Sequence, residues 1–309
     1  MYDVIIIGGG ITGLSTAYRF IESNKKILLI ESNDRLGGRI HTETVDNLKL
    51  EAGAARIGQN HQKTLNLIED LGLKDKLIKL PNKTDIYING KKTKNKTSKL
   101  IKELFDAYKK KKDYKTKLED ITFFQFCIDM IGFNDANFLQ KSFPYDAEFS
   151  KMNAKAAIKL FENDFKDTNN YYILSTGLNS IIDKLESEIN YDPNITIQKK
   201  ESLLEVHYDN NTIITDKDIY QYKNLILSIP YCNLKKINIS KDIQHINSVT
   251  KIPLLRIYAK YPVNEKNESW FKDIKKTVTD SYIRYIIPID YKNGLIMISY
   301  CDSDVANMW

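Results

Sequence analysis

The chain has 309 residues, 42% hydrophobic and 28% charged, which is enough length for two domains with a sizeable core and too apolar for wholesale disorder. Its net charge of +6 rests on lysine, because arginine occurs only at positions 19, 35, 39, 56, 256 and 284; we read this as compositional bias rather than as a nucleic-acid partner. No apolar run approaches the roughly 20 residues of a membrane span. Cys127, Cys232 and Cys301 lack C-x-x-C spacing, which argues against structural zinc or a disulfide framework and fits a reducing, cytoplasmic setting. The first strand begins almost at Met1, so no signal peptide is expected ahead of it. Asn-X-Ser/Thr triplets such as Asn82-Lys83-Thr84 and Asn267-Glu268-Ser269 are expected by chance in so asparagine-rich a chain.

Val4 to Ile7 is a β-branched run, the pattern of a strand buried on both faces of a parallel sheet, and it stops at three glycines. Gly8, Gly10 and Gly13 stand at G-x-G-x-x-G spacing: the first for a tight turn, the second for close approach to a pyrophosphate, the third for helix packing. Ile11 and Thr12 open a helix, expected to run to about Glu22, whose N-terminus faces the phosphates. A second strand from Lys26 to Ile30 ends in Glu31. That acid lies 18 residues after Gly13, close to the roughly 20 expected before a ribose-binding carboxylate.

After Ser32 comes a second glycine pair, Gly37-Gly38, flanked by Arg35 and Arg39. It suits a longer, flatter cofactor than a nicotinamide dinucleotide, because arginine gives planar donors to phosphate and glycine lets backbone come close to a ring. The stretch ESNDRLGGRIHT resembles the signature of the flavin-containing amine oxidases, the monoamine, polyamine and L-amino-acid oxidases. The resemblance implies FAD as cofactor, with Glu31 on the adenosine ribose and Arg35, Gly38 and Arg39 along the FAD. Arg39 also separates the chain from related flavin mutases and desaturases, where that position is less regularly arginine.

Leu48 to Gly58 follows, with small residues Ala52, Gly53, Ala54 and Ala55 that let main chain pass close to a flat ligand; the matching family segment lies against the flavin ring. Arg56 is the most informative residue for substrate. In L-amino-acid oxidases an arginine after a similar turn holds the substrate carboxylate, and a guanidinium grips a carboxylate with two parallel hydrogen bonds. The competing reading pairs Arg56 with a flavin phosphate or with an acid such as Glu51. A helical pattern then runs from Thr64 to Leu71.

From about Leu80 to Asn170 the strand–helix alternation fades. Ile86 to Ile88 with Asn89-Gly90 predicts a hairpin, and helices are expected over Leu100–Tyr108 and Phe123–Ile131. Lys99 to Lys117 reads as an exposed helix, its densest run Lys109 to Lys112 a solvated face. Phe123, Phe124, Phe126, Phe133, Phe138, Phe143 and Tyr145 read as core rather than as a cavity lining.

Tyr172 to Leu178 precedes an amphipathic helix from Ser180 to Ile189. Strands are expected at Thr196–Gln198, Ser202–Tyr208 and Thr212–Thr215, and a buried strand over Lys223–Ile229 that Pro230 stops. By resemblance, the backbone of Leu203 is where the adenine contact would be made. Leu254 to Ala259 reads as a strand, and TDSYIRYIIPIDYKNGLIMISY resembles a family hairpin. Many members carry a lysine, hydrogen-bonded through water to flavin N5, in the strand before it; Lys251 is nearest, though another register places Leu254 there. Relatives continue well past the position of Trp309, so a C-terminal part of the family fold is expected to be missing.

The expected fold is α/β: a Rossmann-like FAD-binding domain (1–79 and 171–246) with a discontinuous α+β substrate domain (80–170 and 247–309). The resemblance implies oxidation of an amine or L-amino acid by hydride transfer to flavin N5, imine hydrolysis, and peroxide formation from dioxygen. A flavin-dependent isomerase or desaturase, or a truncated non-catalytic remnant, are the alternatives.

Overall fold

The computed structural model describes residues 1–81, 83–111, 113–164 and 170–309; Asn82 of the first Asn-X-Thr triplet and Lys112 of the basic run lie outside them. The chain divides into two compact units, Met1–Leu80 with Asn170–Thr250, and Pro81–Asn169 with Lys251–Trp309. The first unit opens with β1 (Tyr2–Ile7), α1 (Ile11–Tyr18), β2 (Ile27–Glu31), β3 (Thr42–Val45), β4 (Leu48–Glu51), β5 (Ile57–Gly58), α2 (Gln62–Asp70) and β6 (Leu77–Lys79). In the second unit come β7 (Thr84–Ile88), β8 (Lys91–Thr93), α3 (Thr97–Lys110), α4 (Phe123–Ile131), α5 (Phe133–Ser142), α6 (Ala147–Ser150) and α7 (Ala154–Asp164). The chain re-enters the first unit through β9 (Tyr171–Leu174), α8 (Asn179–Asn190), β10 (Ile195–Lys199), β11 (Leu203–His207), β12 (Thr212–Thr215), β13 (Ile219–Leu227) and α9 (Tyr231–Leu234). It finishes in the second with β14 (Leu254–Lys260), β15 (Lys276–Thr279), β16 (Tyr285–Asp290), β17 (Leu295–Asp302) and α10 (Ser303–Asn307).

The main sheet of the first unit has the order β10-β2-β1-β13-β12-β11. Its first four strands are parallel, and β13, β12 and β11 form an antiparallel meander. Alternation along β1 explains why both faces are covered. Val4 and Ile6 join Leu14, Ala17, Ile181 and Leu185 of α1 and α8 on one side, whereas Ile5 and Ile7 join Val206, Ile213 and Ile237 on the other. α1 ends at Tyr18, short of the expected Glu22, because the chain turns there and Glu22 and Asn24 take positive φ of 62° and 56°.

The second unit's sheet runs β14-β17-β16-β15-β7-β8, antiparallel except for β15 with β7. The Asn89-Gly90 hairpin forms, with φ of 51° and 72° at its two central residues as a type I′ turn requires. Phe123, Phe126 and Phe143 are buried in a cluster with Phe149 and Phe161, as the core reading expected, while Phe133 is 59% exposed. The stretch Lys99–Lys117 differs from expectation in two ways: α3 stops at Lys110, and its Leu100 and Leu104 are buried. β13 is also longer than expected, starting at Ile219, and only its Tyr222 is buried.

Candidate functional site

The carboxyl ends of the parallel strands converge on one edge of the first unit, the place where open α/β sheets hold ligands. There β1 gives way to Gly8, with φ of 105°, a value that favours glycine. Ser228, directly after β13, closes the turn: its hydroxyl donates to the carbonyls of Ile7 and Gly8, each at 2.9 Å. A Cβ on Gly13 would stand 1.9 Å from the Gly8 carbonyl oxygen, so the third glycine is required for α1 to cross so close to β1.

Gly10 is of another kind. Its φ of −72° suits any residue, and a Cβ there would meet nothing within 4 Å. It caps α1 without a side chain, and no acidic residue occupies the first turn of Ile11, Thr12 and Gly13. The positive end of the helix therefore borders open space, an arrangement that suits a phosphate.

The second wall is the loop after β2. Gly37 donates its N–H to the Gly9 carbonyl at 2.8 Å, and Gly10 pairs with Gly37 in an isolated parallel bridge. Gly37 and Gly38 have φ of 98° and 57°. Arg35 braces this loop from within, donating to the carbonyls of Leu36 at 3.2 Å, Ile40 at 3.3 Å and Gly38 at 2.9 Å. Arg39 is exposed, and its carbonyl accepts from Ala54 N–H at 2.9 Å. Gly53 makes that approach possible, since a Cβ there would lie 2.0 Å from the Arg39 oxygen.

Glu31 is buried, and four donors already surround its carboxylate. Oε2 accepts from Gly9 N–H at 2.7 Å; Oε1 accepts from Asn33 N–H at 2.8 Å, Asn33 Nδ2 at 2.7 Å and the Ser32 hydroxyl at 3.2 Å. The carboxylate thus locks the glycine turn to the end of β2. Backbone bonds extend the same edge: Lys200 N–H donates to Asn33 O and Glu201 N–H to Glu31 O, each at 3.0 Å. Leu203 opens β11 two residues later, opposite Thr215.

Ala54 is exposed and Ala55 and Arg56 are half-buried, all just before β5. This run is anchored by Glu51, which accepts from Thr42 Oγ1 at 2.9 Å and from Leu178 N–H at 2.7 Å at the start of α8. Thr42 and Asn179 then exchange two further bonds, at 3.1 and 3.0 Å. The edge thus brings together Gly8 to Gly13, Glu31, Ser32, Arg35, Gly38, Arg39, Ala54 and Leu203. Lys251 and Leu254 belong to the second unit, where Lys251 is exposed ahead of β14 and Leu254 opens it. Sequence reasoning passed over Ser228, Asn33 and the Thr42–Glu51 pair; the signal for Ser228 was a small hydroxyl residue at the end of a parallel strand, and for Asn33 a turn-forming amide beside the acid.

Three kinds of comparison bear on the class and the fold. Residues 11–265 match the family described as flavin containing amine oxidoreductase, and the chain belongs to that family. A probable flavin-containing monoamine oxidase A of Dictyostelium discoideum is 35% identical over 92 residues, 30% of this chain and 20% of that protein. Coproporphyrinogen III oxidase of Propionibacterium freudenreichii is 35% identical over 75 residues, 24% of this chain and 14% of its own length. Among solved structures, putrescine oxidase bound to putrescine superposes with a TM-score of 0.71 at 18% identity, covering 99% of this chain and 77% of that one. The aligned stretch therefore spans about a fifth of the first curated relative's length. The fold is that of the flavin amine oxidases, and the family implies a flavin cofactor.

Proposed function

We propose that the first unit is an FAD-binding domain, the second a substrate domain, and that the protein oxidises an amine or an L-amino acid. The observation that carries this reading is the open space in front of Gly10, bounded by the α1 N-terminus and the Gly37-Gly38 loop. The N–H groups of Ile11, Thr12 and Gly13 would hold the pyrophosphate. Glu31 would take the ribose, a hydroxyl replacing the Ser32 and Asn33 side chains on Oε1. Arg39, Ala54 and Ala55 would lie along the flavin and the Leu203 backbone against adenine, while Arg35 acts by bracing the loop.

When bound, FAD supplies a two-electron acceptor for the C–H next to the substrate nitrogen, with dioxygen as the final oxidant giving hydrogen peroxide. Water then hydrolyses the released imine. The chain's part is to orient the substrate and exclude water. Arg56 is assigned to the carboxylate of an amino-acid substrate. Arg56→Met should raise KM for an amino acid about tenfold or more while leaving a simple amine nearly unchanged. Equal effects on both substrates would remove that role, and loss of FAD retention would move Arg56 to the cofactor. A second reading, oxidation of a substrate that is not an amine, is supported by the likeness to coproporphyrinogen III oxidase. A panel of amines and amino acids that leaves the bound flavin oxidised would favour it.

A further inference from the structure

We propose that the lysine-rich stretch Lys91–Lys117 of the second unit docks the protein on an anionic lipid membrane. Within those 27 residues stand twelve lysines and three carboxylates, a balance of +9, so the remainder of the chain, with 34 basic and 37 acidic side chains, is net −3. The positive charge of the whole protein is therefore local. Lysine is frequent elsewhere too, with 28 in the other 282 residues, but there acidic side chains balance it.

The folded arrangement concentrates it further. α3 buries Leu100 and Leu104, which turns Lys99, Lys102, Lys109 and Lys110 outward along one ridge, with Glu103 and Asp106 as the interrupting acids. From Lys99 to Lys110 that ridge spans about 16 Å at the helical rise. Lys91, Lys92 and Lys94 extend it at one end, and Lys111, Lys115 and Lys117 at the other, all exposed. Across the stretch only Lys92, Lys96 and Lys99 form an ion pair among the described residues, with Asp85, Asp135 and Glu103.

An exposed apolar group lies on the helical corner tied to Lys96 and Lys111. Lys111 Nζ donates to the Asp129 carbonyl at 3.1 Å near the end of α4, and Lys96 Nζ pairs with Asp135 at 2.7 Å in the first turn of α5. The corner between those helices is thus held against both ends of α3, and it carries Phe133, 59% exposed. A ridge of lysines with an exposed phenylalanine on the adjoining helical corner fits a bilayer surface: the ammonium groups meet anionic headgroups and the ring enters the interface. The stretch contains no arginine. It therefore lacks the planar donors that favour specific phosphate and base contacts, which sets a lipid surface ahead of a nucleic acid.

The test is co-sedimentation of the purified chain with vesicles of phosphatidylcholine alone or with phosphatidylserine added. Binding should be about tenfold stronger to the anionic vesicles and should fade as salt is raised. The triple change Lys102→Gln, Lys109→Gln, Lys110→Gln should lower it about tenfold, and Phe133→Ser should also weaken it. An equal change of charge elsewhere, Lys235→Gln, Lys236→Gln, Lys241→Gln, should leave it intact; circular dichroism would check that each variant is folded. Equal binding to both vesicle types, binding to neither, or no difference between the two triple variants would overturn the proposal. So would preferential binding of single-stranded RNA that is indifferent to Phe133→Ser, the mark of a soluble polyanion site.

Discussion

Gly10 and Gly13 stand in one turn of chain and should respond differently to an added methyl group. At Gly13 the Cβ would sit 1.9 Å from a carbonyl oxygen, so Gly13→Ala is expected to cost about 2 kcal/mol or more, read as a lowered melting temperature of the cofactor-free protein. At Gly10 the Cβ meets nothing within 4 Å and φ is ordinary. Gly10→Ala should therefore change stability by less than about 1 kcal/mol, yet weaken FAD binding about tenfold by filling the phosphate space. An alanine at position 10 that bound FAD normally would contradict the cradle. The packing role of Gly13 was legible in the spacing of the glycines, which is also what assigns Gly10 its proposed one. The saturation of Glu31 was not, because an acid at that distance says only where a carboxylate falls, and its donors Gly9, Ser32 and Asn33 depend on how the β2 end curls back.

On the scale of elements, α6 carries the clearest pH response. Glu148 has its Oε2 buried with no hydrogen-bond partner among the described residues, and desolvation, followed by the nearby charges of Asp302 and Asp146, pushes its carboxyl up to about 7. The Asp302 carboxylate accepts from the N–H groups of Asp146 and Ala147, at 2.8 and 3.2 Å, so it holds the start of α6 while burial raises its own pKa. A folded-state pKa above the unfolded value means that the protein loses stability as pH rises from about 4.5 through 7. Glu148→Gln should accordingly stabilise the protein by about 2 kcal/mol at pH 8 and change little near pH 4.5, measured by denaturant titration at both values. A pH-independent difference would show that the carboxyl is not the source. Elements with strong periodicity or chemistry were readable from sequence: β1, the Asn89-Gly90 hairpin and α4. The β3–β4 hairpin was not, because its turn is Asp46-Asn47, with φ of 48° and 65°, where a glycine would have announced it. Nor was the early start of β13, whose first residues Ile219 to Gln221 pair with β12 and gain their strand character from that neighbour rather than from their own pattern.

Across the whole molecule the flavin reading rests on three things of different weight. Family membership covers residues 11–265, the likeness to putrescine oxidase extends over 99% of the chain at the level of fold, and the glycine edge of the first unit leaves Gly10 open at the start of α1. Cofactor class was legible because G-x-G-x-x-G, the acid and R-x-G-G-R are local in sequence. Substrate class was less so, since the proposed distinction between an amine and an amino acid rests on one arginine, Arg56. The charge segregation into Lys91–Lys117 is a property no single motif displays, and only the burial of Leu100 and Leu104 in α3 shows which side of that helix faces outward. The visible absorption spectrum of the purified chain, with the released nucleotide identified after denaturation, tests the central claim most directly. A flavin spectrum with FAD as the released species, present in stoichiometric amount, is the predicted result; a chain that stays colourless after incubation with excess FAD would contradict it.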